Sequence, residues 1–197
     1  MYKIVKAKEL AASIVYFDVL APRVAASCLP GQFVIVRMDE KGERIPLTIC
    51  DYDREKGTVT IVIQCIGAAT NQMKQLKEGD AFHDFVGPLG QPSEFCSEDP
   101  ETLKNKKIIF VAGGLGTAPV YPQVKWLSEH GVKADVIIGA KTKELLILEE
   151  EMKKVAGEVF PTTDDGSYGR SGMVTNTLKD LVEKEGKSYD VWVAIGP

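Results

Sequence analysis

From about Lys107 the chain alternates short runs of Val, Ile and Phe with longer amphipathic stretches, and that alternation limits the fold more than anything else in the sequence. Lys106-Lys107-Ile108-Ile109-Phe110-Val111-Ala112-Gly113-Gly114 reads as a strand buried on both faces, because apolar runs without polar alternation belong to parallel sheets covered on each side. The pattern then predicts a helix over 118–130 that stops near Gly131, a strand over 133–139 and a helix over 143–156. A strand over 158–162, a helix over 173–185 and a strand over 190–195 follow. Strands and helices taking turns in this way build a doubly wound parallel sheet, an α/β domain. The last strand runs into Ala194-Ile195-Gly196-Pro197, where such a domain ordinarily turns into its next helix. A C-terminal helix, and whatever follows it, is therefore expected to be missing from these residues.

Residues 1–95 follow a different pattern. Short β-rich runs (IVKAKEL, SIVYFDVL, QFVIVRM, GTVTIVIQCI) are divided by turn residues such as Pro30-Gly31, Lys41-Gly42 and Lys56-Gly57, the mark of antiparallel strands joined by tight turns. Val59, Ile61 and Ile63 alternate with Thr58, Thr60 and Val62, a two-residue period with a buried face. Only residues 71–77 read as helical, and Gly87-Pro88-Leu89-Gly90 reads as a turn. Several short antiparallel strands hide their edges best by closing into a small Greek-key barrel. The join falls in the polar, acidic stretch between Pro92 and Pro100, which places a β domain at residues 1–98 and an α/β domain at 99–197. No repeat relates the two.

Composition narrows the classes of partner. With 24 Lys+Arg against 28 Asp+Glu and a net charge of −4, the chain has no basic surface suited to nucleic acid or an anionic membrane. No apolar run approaches the roughly 20 residues of a membrane span, and the N-terminus lacks the apolar core of a signal peptide. A soluble, cytoplasmic protein is expected. Cys28, Cys50, Cys65 and Cys96 are far apart in sequence with no Cys-x-x-Cys, a poor set for a metal or iron–sulfur site, and they are expected to be reduced. His83 and His130 are the only histidines. A Ser-His-Asp triad has little to build on, so an organic cofactor is the better source of difficult chemistry.

Four stretches carry candidate chemistry. Gly113-Gly114-Leu115-Gly116-Thr117-Ala118-Pro119 follows a strand and opens a helix, the context in which glycines let backbone amides approach a phosphate. Pro119 stands where the dinucleotide fingerprint has its third glycine, and proline suits the first turn of a helix. A tight turn with no ligand would look the same. Thr163-Asp164-Asp165-Gly166 follows another strand of the same sheet, at the carboxyl end where open parallel sheets bind ligands. Its carboxylates suit ribose hydroxyls and oppose an added 2′-phosphate; a solvated turn is the alternative. In the β half, Arg44-Ile45-Pro46-Leu47-Thr48 puts a cation and a hydroxyl at a strand start, and Gly67-Ala68-Ala69-Thr70 opens the one expected helix. A surface Arg and an ordinary helix start are the plain alternatives there.

Together these residues resemble the ferredoxin–NADP+ reductase superfamily across essentially the whole chain. The likeness is to the electron-transfer subunits of dihydroorotate dehydrogenase and to the small subunit of NADH-dependent reduced ferredoxin:NADP+ oxidoreductase, also known as a sulfide dehydrogenase flavin subunit. Glu43-Arg44-Ile45-Pro46-Leu47-Thr48 and Asp84-Phe85-Val86-Gly87-Pro88-Leu89-Gly90 are nearer the second group, while Thr163-Asp164-Asp165-Gly166-Ser167-Tyr168-Gly169 is similar to both. The resemblance implies an FAD-binding barrel followed by an NAD-binding domain. It places Arg44, Ile45, Pro46, Leu47 and Thr48, then Val62, Ile63 and Gln64, then Gly67, Ala69 and Thr70 around the flavin. It places Gly113, Gly114, Gly116, Thr117, Ala118, Pro119, Thr163, Asp164, Asp165, Gly166, Gly196 and Pro197 around NAD(H).

Two departures stand out. The superfamily's flavin-loop Arg aligns with Ile45, one residue after Arg44, and a one-residue shift in a strand reverses the face. The four-cysteine segment for a [2Fe–2S] cluster has no counterpart in these residues. The resemblance implies an oxidoreductase subunit that moves hydride between NAD(H) and FAD without an acid–base residue of its own. It also implies that electrons leave singly through a [2Fe–2S] centre, expected only in a C-terminal segment beyond these residues, to a larger flavoprotein or dehydrogenase as partner, with a ferredoxin-type carrier as a further one. The rivals are a dihydroorotate dehydrogenase electron-transfer subunit and a non-catalytic nucleotide-binding module.

Overall fold

Seven antiparallel strands build the first of two units, Met1–Cys96 and Ser97–Pro197, and the computed structural model describes residues 1–197. In chain order the strands are β1 (Tyr2–Ala11), β2 (Ile14–Leu20), β3 (Phe33–Arg37), β4 (Ile45–Asp53), β5 (Thr58–Gln64), β6 (Ala81–Phe82) and β7 (Asp84–Leu89). Their order across the sheet is β6-β1-β2-β5-β4-β3-β7. β3, β4 and β5 are consecutive neighbours while β2 lies beside β5, which is a Greek key. The strands curl into a nearly closed barrel. Its centre holds Ile4, Phe17, Val34, Ile49, Ile61, Phe82 and Phe85, each with no more than 1% of its surface exposed. Phe17 and Phe82 meet edge to face at 5.8 Å. The alternation along β5 turns Val59, Ile61 and Ile63 into this core.

Three expectations for this unit need correcting. A short helix that the sequence did not announce, α1 (Pro22–Ser27), bridges β2 and β3. Six residues carry too little of a helical period to be seen, and the helix is held from outside. The Arg54 guanidinium donates to the carbonyl oxygens of Ala25, Ala26 and Cys28 at its C-terminal end. Gly87-Pro88-Leu89 is not a turn but the end of β7, pairing with β3 through Val36–Phe85, Ile35–Val86 and Phe33–Leu89. β7 is last in the sheet order, and an edge strand tolerates a residue with no N–H to donate. The other helix of the unit, α2 (Ala68–Met73), starts three residues before the expected 71 and is over by Met73.

The second unit contains α3 (Pro100–Lys104), β8 (Ile108–Gly113), α4 (Thr117–Glu129), β9 (Asp135–Ala140), α5 (Glu149–Val155), β10 (Val159–Thr163), β11 (Arg170–Ser171), α6 (Val174–Glu183) and β12 (Val191–Ile195). All strands are parallel, in the order β11-β10-β9-β8-β12. The chain thus winds outward from β8 through β9 to β10, then returns past β8 to β12. Right-handed crossovers running in opposite directions put helices on opposite faces, the doubly wound arrangement. On one face Ile109, Val111 and Ile137 pack with Leu181 of α6, with Phe160, Val174 and Leu178 beside them. The single helix expected over 143–156 is divided. Lys143–Leu145 form one 3-10 turn and α5 begins only at Glu149. Between them Ile147 and Leu148 are buried, and Leu148 takes a left-handed φ of 58°. Burying two adjacent apolar side chains interrupts the helical path that the local pattern favours.

Candidate functional site

β8 is the point where the winding reverses, with β9 on one side and β12 on the other. In open parallel sheets the crevice at such a switch lies outside the carboxyl ends of the strands. Here that edge receives Gly113 at the end of β8, Ala140 at the end of β9, Thr163 at the end of β10 and Ile195 at the end of β12. Gly114–Gly116 make one 3-10 turn and lead into α4 at Thr117. The Thr117 hydroxyl donates to the Gly114 carbonyl and locks the turn.

The glycines of this turn have different physical reasons. A Cβ on Gly116 would lie 2.2 Å from the Ile195 carbonyl oxygen, so Gly116 is required by packing between β12 and the helix start. Gly114 has a left-handed φ of 53° and nothing within 4 Å of its Cβ direction. Its open side leaves room for another group to approach the backbone. The side chains of Thr117 and Ala118 are buried, and Pro119 is half-buried in the first turn of α4. The unpaired amides of a helix start and its positive dipole end make this a suitable anion seat. Gly196 and Pro197 lie beside it; the Pro197 ring is 3.6 Å from a Cβ placed on Gly113.

The loop after β10 is strongly cross-linked. The Asp164 N–H donates to the Ala140 carbonyl and the Asp165 N–H to that of Lys141, which joins it to the loop after β9. Asp165 accepts from both the backbone N–H and the hydroxyl of Ser167 at 3.0 and 2.7 Å, and those bonds hold its carboxyl below the usual Asp range. Asp164 is exposed and its carboxylate makes no hydrogen bond or ion pair. Thr163 is fully buried. Of the two carboxylates expected to face a ligand, only Asp164 is unengaged.

In the barrel, the candidate residues lie on three segments. Ile45 and Leu47 of β4 pack toward the core while Pro46 is exposed and Thr48 half-buried. Arg44 precedes the strand, is 64% exposed and comes within 3.9 Å of Asp84. On β5 the Ile63 side chain belongs to the core, Val62 points the other way and is buried, and Gln64 is exposed. At the start of α2 the Thr70 hydroxyl accepts from the N–H groups of Ile66 and Gly67. That hydroxyl fixes the turn; the exposed backbone of Gly67 and Ala68 forms the surface there. One group sequence reasoning did not single out is a cluster beside Arg44. The Asp84 carboxylate lies 2.8 Å from His83 Nδ1 and 2.7 Å from Arg37 Nε. The Arg37 contact is close but poorly aligned for a hydrogen bond, so we read it as an ion pair. Tyr168 and Ser167 were also passed over as site residues, since their role is in contacts between loops that a linear pattern does not display.

No family model matches the chain. It is 60% identical over its full length to an uncharacterized protein in the adh 3′ region of Clostridium beijerinckii, of which it covers 67%. It is 40% identical over 99% of its length to a dihydroorotate dehydrogenase B (NAD(+)) electron transfer subunit homolog from Thermotoga maritima, covering 66% of that protein. The electron transfer subunit of dihydroorotate dehydrogenase B (NAD(+)) from Streptococcus mutans is 34% identical over 90% of the chain, which covers 67% of it. The chain thus spans about two thirds of the length of these relatives. Among solved structures, a chain of an NADH-dependent reduced ferredoxin-NADP oxidoreductase, studied for flavin-based electron bifurcation, superposes with a TM-score of 0.88 at 37% identity. The match takes in 100% of this chain and 68% of that one. The chain belongs to the ferredoxin–NADP+ reductase superfamily, in the group of electron-transfer subunits that includes those of dihydroorotate dehydrogenase B.

Proposed function

We propose that this chain is the flavin- and dinucleotide-handling part of an electron-transfer subunit, moving hydride between NAD(H) and FAD on behalf of a larger flavoprotein or dehydrogenase partner. The observation that carries the reading is the switch point of the parallel sheet. There a left-handed, unobstructed Gly114 leads into the start of a 13-residue helix, with the unengaged Asp164 on the same carboxyl edge. A diphosphate would be held by the backbone amides around Gly113, Gly114, Gly116 and Ala118, with no side-chain cation needed, while Thr117 and Pro119, which has no N–H to offer, would shape the helix start. Asp164 would accept hydrogen bonds from ribose hydroxyls and repel a 2′-phosphate, which favours NAD(H) over NADP(H). On the barrel, Arg44 to Thr48, Val62 to Gln64 and Gly67 to Thr70 offer the flavin a backbone lining with one exposed cation, Arg44. When bound, nicotinamide and flavin supply the hydride chemistry themselves; the residues named here bind and orient them.

An iron–sulfur centre does not fit the residues present. Cys28, Cys50, Cys65 and Cys96 are separate free thiols, and no three Cys, His, Asp or Glu side chains converge as metal ligands. No helix of the chain is long and apolar enough to cross a membrane.

An anaerobic titration of the FAD-loaded chain with NADH, and separately with NADPH, tests the reading through the flavin absorbance. Bleaching by NADH at far lower concentration than by NADPH is expected. Tight flavin that neither nucleotide bleaches would instead make the chain a non-catalytic binding module. Identities of 40% and 34% to the dihydroorotate dehydrogenase B group against 37% to the ferredoxin-NADP oxidoreductase keep two partner classes in view. Co-purification with a dihydroorotate-oxidising barrel or with a larger flavoprotein of the second type separates them.

A further inference from the structure

The segment from Thr163 to Gly172 is closed by one buried side chain. The Thr163 hydroxyl donates to the Tyr168 carbonyl at 2.7 Å and accepts from the Tyr168 N–H at 3.0 Å. The Thr163 carbonyl in turn accepts from the N–H groups of Gly166 and Gly172. Thr163 therefore spends both its hydroxyl and its carbonyl inside the loop, with none of its surface exposed. Its side chain is not available to a ligand.

The stapled loop is braced from two neighbouring segments. The Tyr168 hydroxyl donates to Glu149 Oε1 at 2.8 Å in the first turn of α5, and Glu149 is in turn paired with Lys153 at 2.7 Å. The Lys143 ammonium lies 5.0 Å from the centre of the Tyr168 ring, within cation–π range. The Lys143 N–H also donates to the Ser167 hydroxyl. Asp164 and Asp165 are tied by their amides to the end of β9. Loops from two adjacent strands and the start of α5 thus form one connected body, and Asp164 is the carboxylate left free on it.

We propose that Thr163 and Tyr168 are positioning residues for the dinucleotide: their mutual hydrogen bonds hold the 164–167 loop in its binding shape before the ligand arrives, and so present Asp164 to the hydroxyls of a ribose. The inference rests on the dinucleotide reading above. Its physical basis is that a loop already ordered does not have to lose its conformational freedom on binding, so less of the contact energy is spent. Removing the hydroxyl leaves the Tyr168 N–H and carbonyl without their partner and frees the loop, while β10 keeps its ladder to β9.

The test compares the wild-type full chain with Thr163→Val, which keeps the shape and loses the hydroxyl, and Thr163→Ser, which keeps the hydroxyl. NADH affinity is read by calorimetry, hydride transfer by flavin reduction at saturating NADH, and loop order by amide hydrogen exchange over 164–172. For Thr163→Val we expect NADH to bind about tenfold more weakly, for Thr163→Ser within about twofold of wild type. The rate at saturation should be unchanged in both, and exchange in the Val variant should quicken over 164–172 alone. NADH binding by the Val variant as tight as wild type would overturn the proposal. So would failure of Ser to restore affinity, or faster exchange spread over β8, β9 and β10, which would mean a purely structural role. If wild-type chain does not bind NADH, the dinucleotide reading fails and takes this inference with it. If wild type binds and the Val variant is unaffected, this inference alone fails.

Discussion

The carbonyl oxygen of Ile195 points at Gly116, 2.2 Å from where a Cβ on that residue would stand. A glycine that a motif reading assigns to phosphate approach is thus required first by the end of β12. Gly116→Ala should force the β12 end and the α4 start apart and cost about 1–3 kcal/mol of stability, as overpacked sites do. Gly114→Ala meets no atom, so it should cost only about 1 kcal/mol for its left-handed φ. Urea unfolding of the two variants checks the order. A Gly114 variant less stable than the Gly116 variant would contradict it.

Arg54 closes the C-terminal end of α1 through three carbonyl oxygens, and its guanidinium lies 4.8 Å from the Tyr52 ring centre. Hydrogen bonds from a charged donor each contribute about 1.5–3 kcal/mol when their partners are left unsatisfied. The residue is partly solvated, so the lower part of that range applies to the set. Arg54→Ala should lower barrel stability by about 2 kcal/mol, with Arg54→Lys only partly restoring it because an ammonium cannot fork across three acceptors. Thermal or urea unfolding reads the difference.

The His83 hydrogen bond, and after it Arg37, hold the Asp84 carboxyl below the usual Asp range. A carboxylate with a depressed folded pKa adds stability above its unfolded pKa, near about 3.9 for Asp, and that contribution is lost as pH falls through the folded value. Asp84→Asn should therefore be less stable than wild type at pH 7. The gap should close as pH drops below about 4. Urea midpoints at pH 7, 4 and 3 measure it, and a gap independent of pH would show that the charge of Asp84 is not its source.

Several elements could be read locally because their signal does not depend on distant partners. Ile108 to Gly113 carries its apolar run into any register of a parallel sheet, and Val59, Ile61 and Ile63 keep one face whatever lies opposite. The helix over 118–130 appears within one residue at each end as α4. Elements that owe their form to remote contacts were not visible in this way. α1 needs Arg54 from beyond β4 at its end. Gly87 to Leu89 becomes strand only because β3 is there to pair with it. The helix over 143–156 divides because Ile147 and Leu148 find burial.

The same division runs through the candidate site. Composition and periodicity were sufficient for a β barrel followed by a doubly wound sheet, and for glycines and carboxylates at the carboxyl ends of its strands, since hydrophobic period and turn chemistry act over a few residues. Which atoms of those residues remain free depended on the partners that the folded backbone brings within reach, near in sequence or far. Ile195 claims the space at Gly116, Ser167 occupies Asp165, and Tyr168 takes the hydroxyl of Thr163, so Gly114 and Asp164 are left open. A hydrogen bond or a close packing contact is used up only by a partner within a few ångströms, and distance along the chain does not state which groups come that near.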